Sequence, residues 1–249
     1  MRRTLFGFLS VLTACGYGDP PPGALDTFEI DSENTGTTYT VEVFTPEALT
    51  ERDGATVMYV FDGVENADLV LAEYATALDD GVEPAVLALV PGTNRVYDFT
   101  PTPGYSGNGG GQAAFMAFVM DEVAPLVEVE GVGGAPDKRI TFGHSLGGLL
   151  SATFWYDTAF ASRAGIASPS MWWDEGLFFS KLGAAPVNAG PIVVSCGEYE
   201  PMGMVPYTAD FSEAMQEDYG IDVTYEVFSR TTHPDAFAPA LALSFRELL

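Results

Sequence analysis

The chain predicts an α/β fold: a mostly parallel central sheet with helices on both faces and no large cap domain. Three observations lead there. Short apolar runs alternate with helical stretches along most of the sequence, as in βαβ units whose parallel strands are buried on both faces. A length of 249 residues, 47% of them hydrophobic and 12% aromatic, is enough for one sizeable core and one domain. Finally, an apolar run at 139–143 passes through Gly143-His144-Ser145-Leu146-Gly147 into a helical pattern at 146–156, the order strand, sharp turn, helix.

The first residues carry a separate message. Arg2-Arg3 precede an apolar run at 5–12, too short to span a bilayer and laid out like a secretory signal. Leu12-Thr13-Ala14-Cys15 resembles the bacterial lipobox, in which the chain is cut before a cysteine that then receives lipid. The expected division is a leader at 1–14, a proline-rich tether at 15–26 with Cys15 lipidated, and a domain at 27–249. A plain signal peptide with a chance Ala-x-Cys is the alternative. After cleavage Cys196 stands alone beyond Cys15, so no disulfide within the domain is expected.

Strands are expected at 38–44, 56–61, 85–90, 139–143, 164–167, 191–196 and 223–228, with an antiparallel edge pair formed by 27–30 and 38–44. Helices are expected at 66–78, 112–127, 146–156, 207–219 and 239–248. Leu146, Leu149, Leu150 and Phe154 supply the helical spacing after the turn, and Pro239 suits the first turn of the last helix. No internal repeat is present.

Gly-x-Ser-x-Gly places a serine on a strained turn where its hydroxyl stands clear of the backbone and nearby amides can receive negative charge. Ser145 is the candidate nucleophile. Side chains two residues before or after it would collide with the neighbouring strand, a clash that Gly143 and Gly147 remove, and Gly148 lets the helix approach its strand closely. A serine needs a base, and the chain has two histidines. His144 adjoins the serine and is expected to pack or hydrogen-bond beneath the turn, which leaves His233, in the loop after the run 223–228.

The third member of such a set is a carboxylate just after a strand, between serine and histidine in chain order. Pro191-Ile-Val-Val-Ser-Cys-Gly-Glu-Tyr-Glu200 offers two: Glu200, three residues past Gly197, and Glu198 as runner-up, with Asp235 a more distant third. A second oxyanion donor must come from another loop at the same sheet edge. The strand ending at Asp62-Gly63 makes the amides of Val64 and Leu146 the candidate hole; an ordinary Asp-Gly turn accounts for the former equally well. Met171, Trp172, Trp173 and Tyr105 are candidate pocket residues, with one tryptophan expected in the core.

Together these stretches resemble the putative esterase family of α/β hydrolases, which includes esterase D and enterochelin-esterase-like proteins, with a more distant similarity to mycolyltransferases. The likeness runs over about residues 36–249 and rests on Phe61-Asp62-Gly63, Asn94-Arg95 with Asp98-Phe99-Thr100-Pro101, Gly143 to Gly148, Ser168-Pro169-Ser170-Met171-Trp172-Trp173, Gly197-Glu198-Tyr199-Glu200 and His233. It implies an α/β-hydrolase fold, an acyl-enzyme esterase, Ser145 and His233 as nucleophile and base, Glu200 as acid, and Val64 and Leu146 as oxyanion donors. Acyl transfer on the same fold, or an inactive surface-binding lipoprotein, are the alternatives. The loop Gly104-Tyr-Ser-Gly-Asn-Gly-Gly-Gly-Gln112 is richer in glycine than the resemblance leads one to expect.

The formal charge of −25 disfavours nucleic acid and anionic membrane surfaces as partners. Membrane attachment is expected only through lipid on Cys15. A small-molecule ester is the expected partner, and neither a cofactor nor a metal is expected: two histidines and one remaining cysteine leave only an all-carboxylate site.

Overall fold

The computed structural model describes residues 18–105 and 107–249, together with the backbone of Arg2–Arg3. The remainder of the expected leader, and Cys15, lie outside the described residues. In chain order the strands are β1 (Arg2–Arg3), β2 (Gly23–Asp31), β3 (Thr38–Pro46), β4 (Val57–Phe61), β5 (Val86–Val90), β6 (Arg139–His144), β7 (Arg163–Ala167), β8 (Ile192–Tyr199) and β9 (Val223–Thr232). The helices are α1 (Ala67–Asp79), α2 (Arg95–Phe99), α3 (Gln112–Phe118), α4 (Ala124–Val127), α5 (Leu146–Asp157), α6 (Trp173–Gly176), α7 (Met204–Glu217) and α8 (Phe237–Leu248).

One sheet runs in the order β1-β2-β3-β5-β4-β6-β7-β8-β9. From β5 to β9 all neighbours are parallel, and β2 and β3 add the antiparallel edge. β2 starts at Gly23, earlier than the expected domain boundary at 27, because it pairs with β3 without a break from Gly23–Pro46 to Asp31–Thr38. Pro20-Pro21-Pro22 just before it have no N–H to donate.

The pattern within a strand explains the two-sided cover. Every residue of β4 and β5 is buried. Val57, Tyr59 and Phe61 face one core, with Phe115, Leu150, Phe154 and Phe211 of the helices on that side. Met58 and Val60 face the other, with Tyr74 of α1 and Leu241 and Phe245 of α8. Helix α5 is buried from Leu146 to Tyr156, mainly apolar on every face as suits a helix in the middle of a protein, with the Ser151 and Thr153 hydroxyls hydrogen-bonded inside.

The expected helix at 112–127 continues through two π-helical turns, Val119–Val123 and Glu128–Val132. The first lies just ahead of Pro125, whose missing N–H cannot serve the regular ladder. β9 runs on to Thr232, past the expected end at 228, by absorbing a left-handed Arg230 and a register shift opposite Gly197 to Tyr199.

Candidate active site

Ser145 occupies the turn between β6 and α5 with φ 63° and ψ −118°, a conformation a non-glycine residue holds only when its surroundings impose it. Those surroundings are visible. Its N–H donates to the Ala167 carbonyl at 2.9 Å, and its own carbonyl accepts from Leu149 and Ser170. A Cβ on Gly143 would lie 2.1 Å from the Gly147 carbonyl oxygen, and one on Gly148 would lie 2.5 Å from that of Ala167. Gly147 itself is less constrained, its nearest obstacle being Asp62 Oδ2 at 3.3 Å. The crowding at Gly143 thus comes from the helix backbone rather than from a neighbouring strand as expected. Gly143→Ala is expected to lower stability by about 1–3 kcal/mol through overpacking, read as a reduced urea midpoint; an unchanged midpoint would contradict this account of the turn.

The candidate acid and the candidate base are brought together by strand register. Tyr199 of β8 pairs with Thr232 of β9, so Glu200 and His233 are the next residues on two parallel neighbours. Pro234 opens a short 3₁₀ turn directly after His233. His233 Nδ1 lies 2.5 Å from Glu200 Oε2. The Glu200 side chain is fully buried, that of His233 about one quarter exposed at 23%. Glu200 Oε1 accepts from Ser168 Oγ at 2.6 Å and from the Gly197 N–H at 2.9 Å. Burial pushes the Glu200 carboxyl up, but the hydrogen bonds from His233, Ser168 and Gly197 outweigh it and leave the group below its ordinary value. Neither rival carboxylate takes this place. Glu198 is exposed and accepts from the Arg230 N–H at 2.6 Å, and Asp235 accepts from the Thr232 hydroxyl.

His233 also meets the elbow. Its ring lies 4.5 Å from that of His144, the residue before Ser145. Among the described residues no hydrogen bond joins Ser145 to His233; the side-chain partner of Ser145 Oγ is Ser170 Oγ at 3.5 Å. His144 packs beneath the turn as expected, with the Phe237 ring edge-on to it at 5.8 Å. Burial, and then the neighbouring His233, hold its imidazole neutral by lowering its pKa to about 3.

That shift has a sign. Below its ordinary value of 6.5 the unfolded chain takes up a proton that the folded chain refuses, so stability falls as pH drops from 6.5 toward 3, by up to about 1.4 kcal/mol per unit from this group. Glu200, depressed in the folded state, adds a loss lower down, as pH falls from its ordinary value of 4.5 toward its folded one. Urea unfolding between pH 7 and 4 is expected to be less pH-sensitive in His144→Phe than in the natural protein. Parallel curves would contradict the assignment.

Arg95 ties the two loops of the edge together. Its Nε donates to both Asp62 carboxylate oxygens at 2.9 Å, and Nη2 donates to the His144 carbonyl at 3.0 Å. Asp62 is buried with φ 58°, so the Asp62-Gly63 turn is held against the elbow. The Gly63 N–H is used by the Val90 carbonyl, whereas those of Val64 and Leu146 have no acceptor among the described residues. Val64 stands at the carboxyl end of β4, next to β6, and faces a shallow depression formed by residues 64–69.

A cavity of about 500 Å³ opens at Ser145, lined by Leu146, Ser170, Arg95, Val96, Gly104, Tyr105, Trp172, Trp173, Asp174 and Met202. Three of the four expected pocket residues are among these. Trp173 is 8% exposed and donates from Nε1 to Thr102 Oγ1, while Trp172 is more open; one tryptophan is therefore largely core. Tyr105 stands 82% exposed at the mouth and bonds Glu175. Met171 does not line the cavity. The tight turn in which its N–H meets the Pro169 carbonyl sends its side chain into the core, where it is fully buried. A larger depression of about 900 Å³ elsewhere is bordered by Asp31, Glu33, Asp121 and Glu122 and holds no serine or histidine.

Arg95, Asp62, Ser168 and Ser170 do not stand out in the sequence as site residues. Their only signal there is membership of the quoted motifs.

The sequence profile described as "Putative esterase" matches residues 32–219. An apo-salmochelin esterase of Escherichia coli O6:H1 is 27% identical over 150 residues, 53% of this chain and 47% of that protein. The match thus spans about half of that relative. Among solved structures, the BES protein from Bacillus cereus is similar with a TM-score of 0.75 at 23% identity, covering 89% of this chain and 93% of that one. The enterobactin hydrolase IroE in complex with DFP has a TM-score of 0.74 at 20% identity, covering 94% and 96%. A siderophore hydrolase, EstB, from Aspergillus nidulans has a TM-score of 0.76 at 15% identity, covering 89% and 93%. Their common fold is that of the α/β hydrolases.

Proposed function

Since the chain belongs to the putative esterase family, we propose that it is a serine hydrolase of carboxylic esters working through an acyl-enzyme. Ser145 Oγ attacks the ester carbonyl. His233 takes the proton on Nε2, the ring nitrogen left free by Glu200, and returns it to the leaving alcohol. Glu200 holds the ring and stabilises its charged form. The N–H groups of Leu146 and Val64 receive the oxyanion, the former at the amino end of α5, where the helix dipole favours negative charge. Water then repeats the sequence on the acyl-enzyme.

The observation that carries this reading is the strained Ser145 at the mouth of an apolar cavity, with the His233–Glu200 pair at the same sheet edge. The missing Ser145–His233 hydrogen bond is compatible with it, since such bonds often tighten only when substrate binds. The cavity suits an ester with a compact apolar or aromatic group beside Trp172. Relatives described as acting on salmochelin and enterobactin make a catecholate trilactone the first natural class to try. Export with lipid on Cys15 belongs to the same proposal and rests on the sequence of the leader.

A burst followed by steady release of p-nitrophenol from p-nitrophenyl butyrate is expected, and a panel with feruloyl, sugar-acetyl and catecholate trilactone esters would rank the acyl groups. Absence of turnover on every member would overturn the reading.

A further inference from the structure

The order of the sheet puts β7 between the strand that carries Ser145 and the strand that leads to Glu200. What leaves the carboxyl end of β7 is Ser168-Pro169-Ser170, and this strap is bonded to both. On one side, the Ser145 N–H donates to the Ala167 carbonyl at 2.9 Å, and the Ser170 N–H donates to the Ser145 carbonyl at 3.0 Å. On the other side, the fully buried Ser168 donates its hydroxyl to Glu200 Oε1 at 2.6 Å. Ser168 has φ 40°, in the left-handed region that costs a non-glycine residue roughly 1 kcal/mol or more. Its own N–H is tied to the Ser195 carbonyl at 2.7 Å, so the backbone that carries the hydroxyl is held in place on the strand leading to Glu200.

A glutamate in this role has one more rotatable bond than an aspartate, so its carboxylate needs fixing. The Ser168 hydroxyl and the Gly197 N–H together occupy Oε1 and leave Oε2 for His233 Nδ1. We propose that Ser168 is a positioning residue for ester hydrolysis, holding Glu200 in line with His233 and in register with the elbow through one rigid strap. This rests on the reading of Ser145, His233 and Glu200 as nucleophile, base and acid.

The test is a double-mutant cycle on p-nitrophenyl butyrate with Ser168→Ala, Glu200→Ala and the pair. Ser168→Ala is expected to lower kcat about 10–100-fold, the size of one hydrogen bond to a charged group, with KM changed by less than about twofold, and to have almost no further effect once Glu200 is alanine. Ser168→Gly removes the same hydroxyl while relieving the backbone, so it is expected to match the alanine variant in kcat without a lower Tm. Equal losses in both backgrounds, or full kcat in folded Ser168→Ala and Ser168→Gly, would overturn the proposal. Full kcat in Glu200→Ala alone would remove the acid assignment itself and this inference with it.

Discussion

Ser145→Ala is expected to lower kcat on p-nitrophenyl butyrate by about 10⁴–10⁶-fold, the range seen when the nucleophile of a serine hydrolase is deleted. The reason is chemical: among the described residues no other hydroxyl combines exposure to the cavity with a place at the amino end of a buried helix. Ser170 comes nearest, 3.5 Å away, but its N–H is spent on the Ser145 carbonyl and it sits on the strap rather than on the elbow. The loss is expected without a loss of stability, since alanine tolerates φ 63° about as poorly as serine does. Ser145→Gly goes further. It removes the same hydroxyl and relieves the backbone, and is expected to raise the urea midpoint by the equivalent of about 1 kcal/mol while remaining as inactive as the alanine variant. An inactive variant that is more stable than its parent would mark the strain at residue 145 as a cost borne for catalysis.

Glu200→Gln is expected to lower kcat by about 10³–10⁴-fold, because an amide can support the wrong imidazole tautomer and cannot stabilise its cation. Glu198→Gln, only two residues away, is expected to stay within about twofold. The contrast follows from where the strand ends. Glu198 lies within β8, exposed and turned to the bulge of β9, where it caps the Arg230 N–H. Glu200 is the first residue past the Tyr199–Thr232 pair, and its side chain is fully buried against His233. Comparable losses in the two variants, or a loss confined to Glu198→Gln, would reassign the acid.

The elbow was legible in the sequence because it records a local steric demand. Gly143 and Gly148 are where backbone oxygens at 2.1 and 2.5 Å leave no space for a Cβ, and β-prone residues before them and leucines after them fix the strand and helix. The pairing of Glu200 with His233 was legible only in part: the histidine had one competitor, but Glu198, two residues from Glu200, offered a carboxylate after the same expected strand. What the sequence did not reveal depends on contacts between distant segments. Met171 and Trp172 are adjacent, yet a single tight turn sends one into the core and the other to the cavity. Ser168 looks like any small residue after a strand until β7 is known to lie between β6 and β8. Arg95 reads as a loop cation, whereas its guanidinium bridges Asp62 and the His144 carbonyl. Helix α2 is too short for periodicity to register, and α6 contains left-handed Asp174 and Glu175, a conformation no propensity favours.

The central claim is that Ser145 is a nucleophile activated by His233. Peptide mapping by mass spectrometry after treatment with diisopropyl fluorophosphate tests it most directly, run on the natural protein and on His233→Ala. One diisopropylphosphoryl group is expected, on Ser145, formed at least about 100-fold more slowly without the imidazole. A label on another residue, no label, or the same rate at Ser145 in both proteins would contradict it.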